Sequence, residues 1–426
     1  MKAFLVLLAS LLPLAALHAA EPPPFDPNDP ALRVVSREVT TSRPAISHAR
    51  YTEPTGVRLV SPGRASDDNG KTWTPFTIKP DFNTGQKKGF RREMGQSVVD
   101  PRNGRALFIS DALDAPHVDT TIDEPEGALS EYYLRYRVSA DRGRTWLLDE
   151  PIVHAGGRFT EKEPFEGIKR GVNAIMAGDC GTFPIITRSG RILFPVQAMI
   201  MKDGKLWNPG GTTSFSEVFL LLGKWRDDGR IEWRASPRVQ LGVERSTRGV
   251  VEPSIAQFDD GRILMVMRGS NAKKPELPGY KWFSISKNDG ETWSAPEPWR
   301  YDDGASFFSP SSMNTLMRHS NGRVFWVGNI SPTNSSGNDP RFPLMMGEVN
   351  PKTLMLIRSS VIELDSRHPE DEARGLELTG KAKAKLDLSH FWVIEDRETK
   401  EFVITYPRAY AGYVKSDWAT LRVALK

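Results

Sequence analysis

Short β-rich runs recur along the chain, and each follows a turn signal. Ala106-Leu107-Phe108, Ile192-Leu193-Phe194, Ile263-Leu264-Met265 and Val324-Phe325-Trp326 each come directly after a Gly-Arg pair. The pairs lie in Asn103-Gly104-Arg105, Ser189-Gly190-Arg191, Asp260-Gly261-Arg262 and Asn321-Gly322-Arg323. Such segments predict hairpin turns in which glycine supplies a positive φ. Helical periodicity is almost absent. A second pattern, Ser-x-x-x-Gly-x-Thr-Trp, occurs at Ser66–Trp73, Ser139–Trp146 and Ser286–Trp293, with a weaker relic from Trp225 to Trp233. It predicts another hairpin turn, in which an acidic or amide side chain accepts backbone N–H groups and the Trp packs between sheets.

The two patterns interleave. Hairpin glycines stand at 104, 190, 261 and 322, and glycines of the second pattern at 70, 143, 229 and 290. The mean step, on the order of 70 residues, suits one four-stranded blade with long loops. The expected architecture is all-β: a six-bladed β-propeller of four-stranded antiparallel blades over residues 34–426. N-terminal strands, roughly 34–80, are expected to close the ring against the C-terminal strand.

Ahead of that domain, Lys2, the apolar stretch from Phe4 to Leu17 and His18-Ala19-Ala20 read as a cleaved secretory signal over residues 1–20. A disordered Pro-rich linker is expected over 21–33. No later run approaches the roughly 18 apolar residues of a membrane span, so a secreted or periplasmic protein without a membrane anchor is expected. Cys180 is the only cysteine, which excludes an internal disulfide and a cysteine-cluster zinc site. No cofactor or metal is implied. The 57 Lys and Arg against 53 Asp and Glu are interspersed, which gives no support for nucleic-acid binding. The balance still leaves room for a local cationic site that takes an acidic small molecule.

In a propeller the inner strand of each blade runs from one face to its hairpin, and the next strand returns. Residues about ten before and seven after each hairpin glycine therefore share one axial cavity. Counting forward gives Asp111, Gln197, Arg268 and Asn329. Counting back gives Arg91 or Arg92, Asp179, Glu252, and the serines from Ser309 to Ser312. Nearly all are polar, each beside an apolar run.

The Ser-x-Asp-x-Gly-x-Thr-Trp element resembles the Asp-box of sialidases (neuraminidases), a family of six-bladed propellers. The likeness runs over nearly the whole expected domain. Glu252-Pro253-Ser254, followed by Asp260-Gly261-Arg262 and Met267-Arg268, is similar to the sialidase element in which a Glu opens one strand and an Arg ends the next. By that resemblance Glu252 activates the nucleophile. Arg268, Arg341 and Arg91 or Arg92 form the family's carboxylate-gripping triplet, a task that suits the planar guanidinium fork. Asp111 or Asp114 matches the family's acid/base residue. One departure stands out, because sialidases use a tyrosine nucleophile. At its place this chain reads Asp387-Leu388-Ser389-His390-Phe391-Trp392. Tyr406 and His390 are the candidates to replace it. The resemblance implies a hydrolase that removes a terminal acidic sugar, sialic acid or an analogue, from a glycan. The alternative is a carbohydrate-binding propeller without turnover. A metal-assisted lyase ranks last, since the seven histidines are scattered.

Overall fold

The computed structural model describes residues 31–92, 95–114, 116, 128–381, 384–411 and 415–426. The leader and most of the expected linker lie outside the described residues. Six antiparallel sheets form six blades around one axis. Blade one comprises Arg50–Tyr51, Leu59–Ser61, Arg64–Ser66 and Thr74–Pro75. Blade two has an inner strand in two pieces, Phe90–Arg92 and Gln96–Val99, then Ala106–Asp114, Tyr133–Ser139 and Leu148–Pro151. Blade three runs through Ile175–Ala177, Ile192–Met199, Ser216–Trp225 and Ile231–Ala235, with Ile185–Ile186 continuing its inner edge. Blade four is Val251–Gln257, Ile263–Arg268, Lys281–Ser286 and Glu297–Pro298, and blade five Asn314–Arg318, Val324–Asn329, Leu344–Glu348 and Ile362–Asp365.

Blade six takes Trp392–Glu395, Phe402–Ala411 and Lys415–Leu425 from the C-terminal part and its outer strand, Leu32–Thr40, from the N-terminal part. Leu32 lies opposite Leu425 and Thr40 opposite Trp418. The ring is therefore closed as expected, but by this one strand alone. It begins two residues inside the expected linker, and residues 50–75 build a blade of their own.

The four Gly-Arg turns and the Asp-boxes sit where their chemistry requires. Ser139 Oγ accepts the Gly143 N–H at 3.0 Å, and Asp141 Oδ1 accepts the Thr145 N–H at 2.8 Å. Ser66 with Asp68, and Ser286 with Asn288, repeat the pattern. In each box two successive residues take positive φ, such as Arg142 at 65° and Gly143 at 70°, which is why the second is glycine. The boxes end the third strand of a blade. They therefore lie at the end of the sheet opposite the start of the inner strand.

Apolar packing between blades is uneven. Separate buried clusters join blades two and three, three and four, four and five, five and six, and six and one. Among the described residues no such cluster joins blades one and two. The strands of blade one are two or three residues long, too short to present an apolar face to both neighbours.

Candidate active site

The first residues of the inner strands meet at one end of the axis. Glu252 opens blade four in a left-handed conformation, φ 48°, within a register shift between Val251 and Ser254. Such a bulge re-aims a side chain, and a non-glycine residue keeps this conformation only where its surroundings demand it. Here Gln197 Oε1 accepts the Glu252 N–H at 2.7 Å. His390, at the entry to blade six, is likewise left-handed at φ 60°. Both residues with acid–base chemistry therefore occupy strained positions at the axis.

Two arginines bind the axial residues into one network. Arg268 is hydrogen-bonded to Glu252 Oε1, to Ser311 Oγ at 2.9 Å and to Asn338 Oδ1 at 3.2 Å. Arg341 reaches the Ser311 carbonyl at 3.2 Å, Asp387 Oδ2 at 2.9 Å and Ser389 Oγ at 3.2 Å. Both guanidinium groups thus grip opposite sides of one residue. Ser389 Oγ continues to Asp387 Oδ1 at 2.6 Å and to His390 Nδ1 at 2.8 Å. His390 Nε2 lies 2.8 Å from Asp179 Oδ2. The ring closes through Gly178, beside Asp179, where a Cβ would stand 2.9 Å from the Glu252 Cα. Glycine is required there because the two strand entries touch backbone to backbone.

Electrostatics sharpen the picture. Burial works to raise the Asp179 carboxyl, yet the charge and hydrogen bond of His390 hold it below the usual aspartate range. Burial lowers Lys281, and Arg268 lowers it further; its Nζ donates only to the carbonyls of Pro310, at 3.1 Å, and Ser312, at 2.6 Å. Arg248 is pulled down to about 10 by burial and then by Arg268, and it donates to Ser214 Oγ at 3.0 Å. Around Glu252, then, two carboxylates compensate two arginines, while Arg248 adds a guanidinium against a neutral acceptor and burial works against charge on Lys281. Glu252 Oε2 is buried and has no hydrogen-bond partner. Burial drives Cys180 well above the ordinary thiol range, with Asp179 adding to it, so the thiol is inert as a nucleophile.

Of the expected site residues, the network includes Glu252, Arg268, Arg341, Asp179, Gln197 and His390. Asn329 lies beneath it, with Nδ2 donating to the carbonyls of Arg341 and Pro343 at 3.1 Å each. Asp111 borders it, accepting the Ala177 N–H at 2.9 Å and so tying blade two to blade three. Four expectations need correction. Tyr406 is fully buried between blades five and six, and its hydroxyl donates to Asp365 at 2.6 Å, so it does not reach Glu252. Arg92 crosses the face of blade two to Asp149, at 2.7 Å, and Arg91 contacts Tyr132. Asp114 ends its strand, and its carbonyl accepts from Arg170. Arg91 and Arg92 are drawn to Tyr132 and Asp149 from the short first piece of blade two's inner strand, whereas Tyr406, on the second strand of blade six, is held by Asp365 of blade five.

The counting missed Asp387, Ser389, Arg50 and His48, which belong to blades six and one. Arg50 is half-buried, its guanidinium stacked on Trp392, and His48 beside it is driven to about 2 by burial, then by Arg43 and Arg50. The hairpin of blade six contains no glycine. Asp396 Oδ1 accepts the N–H groups of Glu398 and Thr399, and Lys400 takes the positive φ of 61°. An Asx turn of this type was the available signal.

The BNR repeat-like domain model matches residues 117–360. No curated protein is matched by sequence. Among solved structures, a protein of unknown function from Dyadobacter fermentans DSM 18053 is similar over 93% of this chain and 100% of its own, at 16% identity and a TM-score of 0.57. The Hadza microbial sialidase Hz136 is similar over 88% of this chain and 60% of its own, at 15% identity and a TM-score of 0.53. The NanB sialidase of Streptococcus pneumoniae is similar over 92% of this chain and 68% of its own, at 14% identity and a TM-score of 0.51. At these identities the likeness is one of fold.

Proposed function

Because the chain belongs to the BNR repeat-like family and has the six-bladed fold of sialidases, we propose that it is an exported glycoside hydrolase that removes a terminal acidic sugar from a glycan. The observation that carries this reading is the excess of positive charge around Glu252. Arg268 and Arg341 converge on Ser311, and Arg248 stands nearby without a carboxylate of its own. An anionic group on the ligand compensates that charge.

With no tyrosine on Glu252 among the described residues, we take the reaction to proceed by direct attack of water. Glu252 Oε2, the unpartnered oxygen, takes a proton from water as its oxygen bonds to the anomeric carbon. His390, oriented through Nε2 by Asp179, turns its Nδ1–H from Ser389 Oγ to the leaving glycosidic oxygen and gives up that proton as the C–O bond breaks. Proton exchange with solvent resets both groups. A second reading, glycan binding without turnover, is favoured by the internal neutralisation of Arg268 by Glu252 and of Arg341 by Asp387.

The test is release of a fluorescent aglycone from sialosides and uronides, with a neutral galactoside as control. Glu252→Gln and His390→Gln are each expected to lower kcat by about 10²–10⁴-fold, with calorimetric binding of the free sugar retained. Absence of turnover on every acidic glycoside, with binding retained, establishes the binding protein instead. Absence of both refutes the reading.

A further inference from the structure

Among the described residues blades one and two share no apolar core, and a cavity of about 390 Å³ lies between them. That volume falls within the roughly 300–1,000 Å³ of ligand pockets. Phe76, Phe108 and Trp146 supply aromatic wall, and Arg50, Arg92 and Arg137 line the cavity as cations. The charge is unbalanced. Asp149 is the carboxylate for three guanidinium groups, with Arg92 and Arg135 at 2.7 Å and Arg137 at 3.1 Å. Asp81, the carboxylate lining the cavity, is engaged with the Asn83 N–H at 3.0 Å.

The arginines also hold unused donors. The Arg92 side chain is only 5% exposed, and its Nε and Nη1 have no hydrogen-bond partner. Arg50 Nη2 is buried in the same condition. Buried guanidinium N–H groups are costly to leave unmet, so a ligand that accepts from them is favoured. Trp146 packs against Phe108, ring centroids 5.9 Å apart, and Arg137 lies over the Trp146 ring. The result is an apolar slot with guanidinium groups along it, a form suited to a flat, singly charged ligand.

We propose that this cavity is a binding site for a carboxylate carried on a ring with an apolar face, with Arg92 gripping the carboxylate and Trp146 and Phe108 covering the ring. A sugar acid and an aromatic acid both present that chemistry. The cavity meets the axial cluster only at His48 and Arg50, and binding there requires no turnover at Glu252.

The experiment is saturation-transfer NMR on the full chain, followed by calorimetry, with glucuronate, benzoate and glucose. Saturation transfer to at least one acid and none to glucose is expected at about 10 mM ligand, where a millimolar Kd is well populated. Transfer to glucuronate alone identifies a sugar acid, and to benzoate alone an aromatic acid. Arg92→Gln keeps Arg135 and Arg137 on Asp149, and is expected to weaken binding at least tenfold. Ser97→Leu fills the cavity without touching Arg92 and is expected to abolish it; a thermal melt confirms that both variants are folded. Absence of transfer to either acid overturns the proposal, and so does wild-type binding in both cavity variants.

Discussion

Replacing Arg268 by Gln separates the arginine's two roles, holding Glu252 and holding the Ser311 loop. The Arg268 and Glu252 side chains are 6% and 13% exposed, so their pair is buried. Removing one partner of such a pair costs about 3–5 kcal/mol, because the other charge stays desolvated. Glutamine can keep one of the bonds to Ser311 Oγ or Asn338 Oδ1, which places the expected cost at the lower end, about 3 kcal/mol. Glu252→Gln leaves the Arg268 charge buried with Ser311, Asn338 and an amide oxygen, and is likewise expected to cost about 3 kcal/mol. In the double variant two neutral amides face each other. If the ion pair is the main connection, the double variant is about 2 kcal/mol more stable than the sum of the single changes predicts. Urea denaturation of the four proteins measures this coupling. With unfolding entropy of about 2.1 cal/mol/K per residue, a 426-residue chain shifts its Tm by only about 1 °C per kcal/mol, so denaturant midpoints are the better readout. Additivity within about 0.5 kcal/mol would refute the coupling and release Arg268 for direct contact with a ligand.

Tyr406→Phe is expected to leave sugar binding and any turnover intact while costing about 1–3 kcal/mol in denaturant stability, since it removes only the bond to buried Asp365; loss of turnover at unchanged stability would return Tyr406 to the chemistry. Arg408→Met leaves Asp371 without its arginine and Asp365 with Arg37 in place of two, their side chains being 3% and 0% exposed, and is expected to cost about 3 kcal/mol at pH 7. Burial works to raise both carboxyls, but Arg408 and the Tyr406 hydroxyl hold Asp365, and the His368 N–H, the Tyr410 hydroxyl and Arg408 hold Asp371, below the usual range. Carboxyls lowered in the fold contribute stability above the unfolded value of about 3.9, and that contribution is lost as pH falls through the folded values. The gap between wild type and Arg408→Met is therefore expected to narrow below about pH 4, and denaturation at pH 7 and pH 3.5 checks it. Asp141→Ala removes the acceptor of the Thr145 N–H and Oγ1–H at the far end of blade two; about 1–2 kcal/mol of stability is expected to go, with unchanged kinetics.

The repeating turns determined the architecture, because their chemistry is local. A glycine forced to positive φ and an Asp that caps the next backbone N–H groups fold the same way wherever they occur, as Gly143 and Asp141 show. Counting from those turns also located Glu252, Asp179, Gln197 and Arg268, since a strand's rise per residue is nearly constant. The same count failed at blade two, where the inner strand breaks and Arg92 turns toward Asp149. It had no starting point in blades one and six, where Arg50, Asp387 and Ser389 lie. Only the tertiary structure decided the partners. Tyr406 and His390 look alike as candidates in the chain, yet one hydroxyl is committed to Asp365 across a blade interface and the other ring meets Asp179 across the axis. Those pairings join residues about 40 and 210 positions apart. They are set by how the blades close into a ring, which no local pattern encodes.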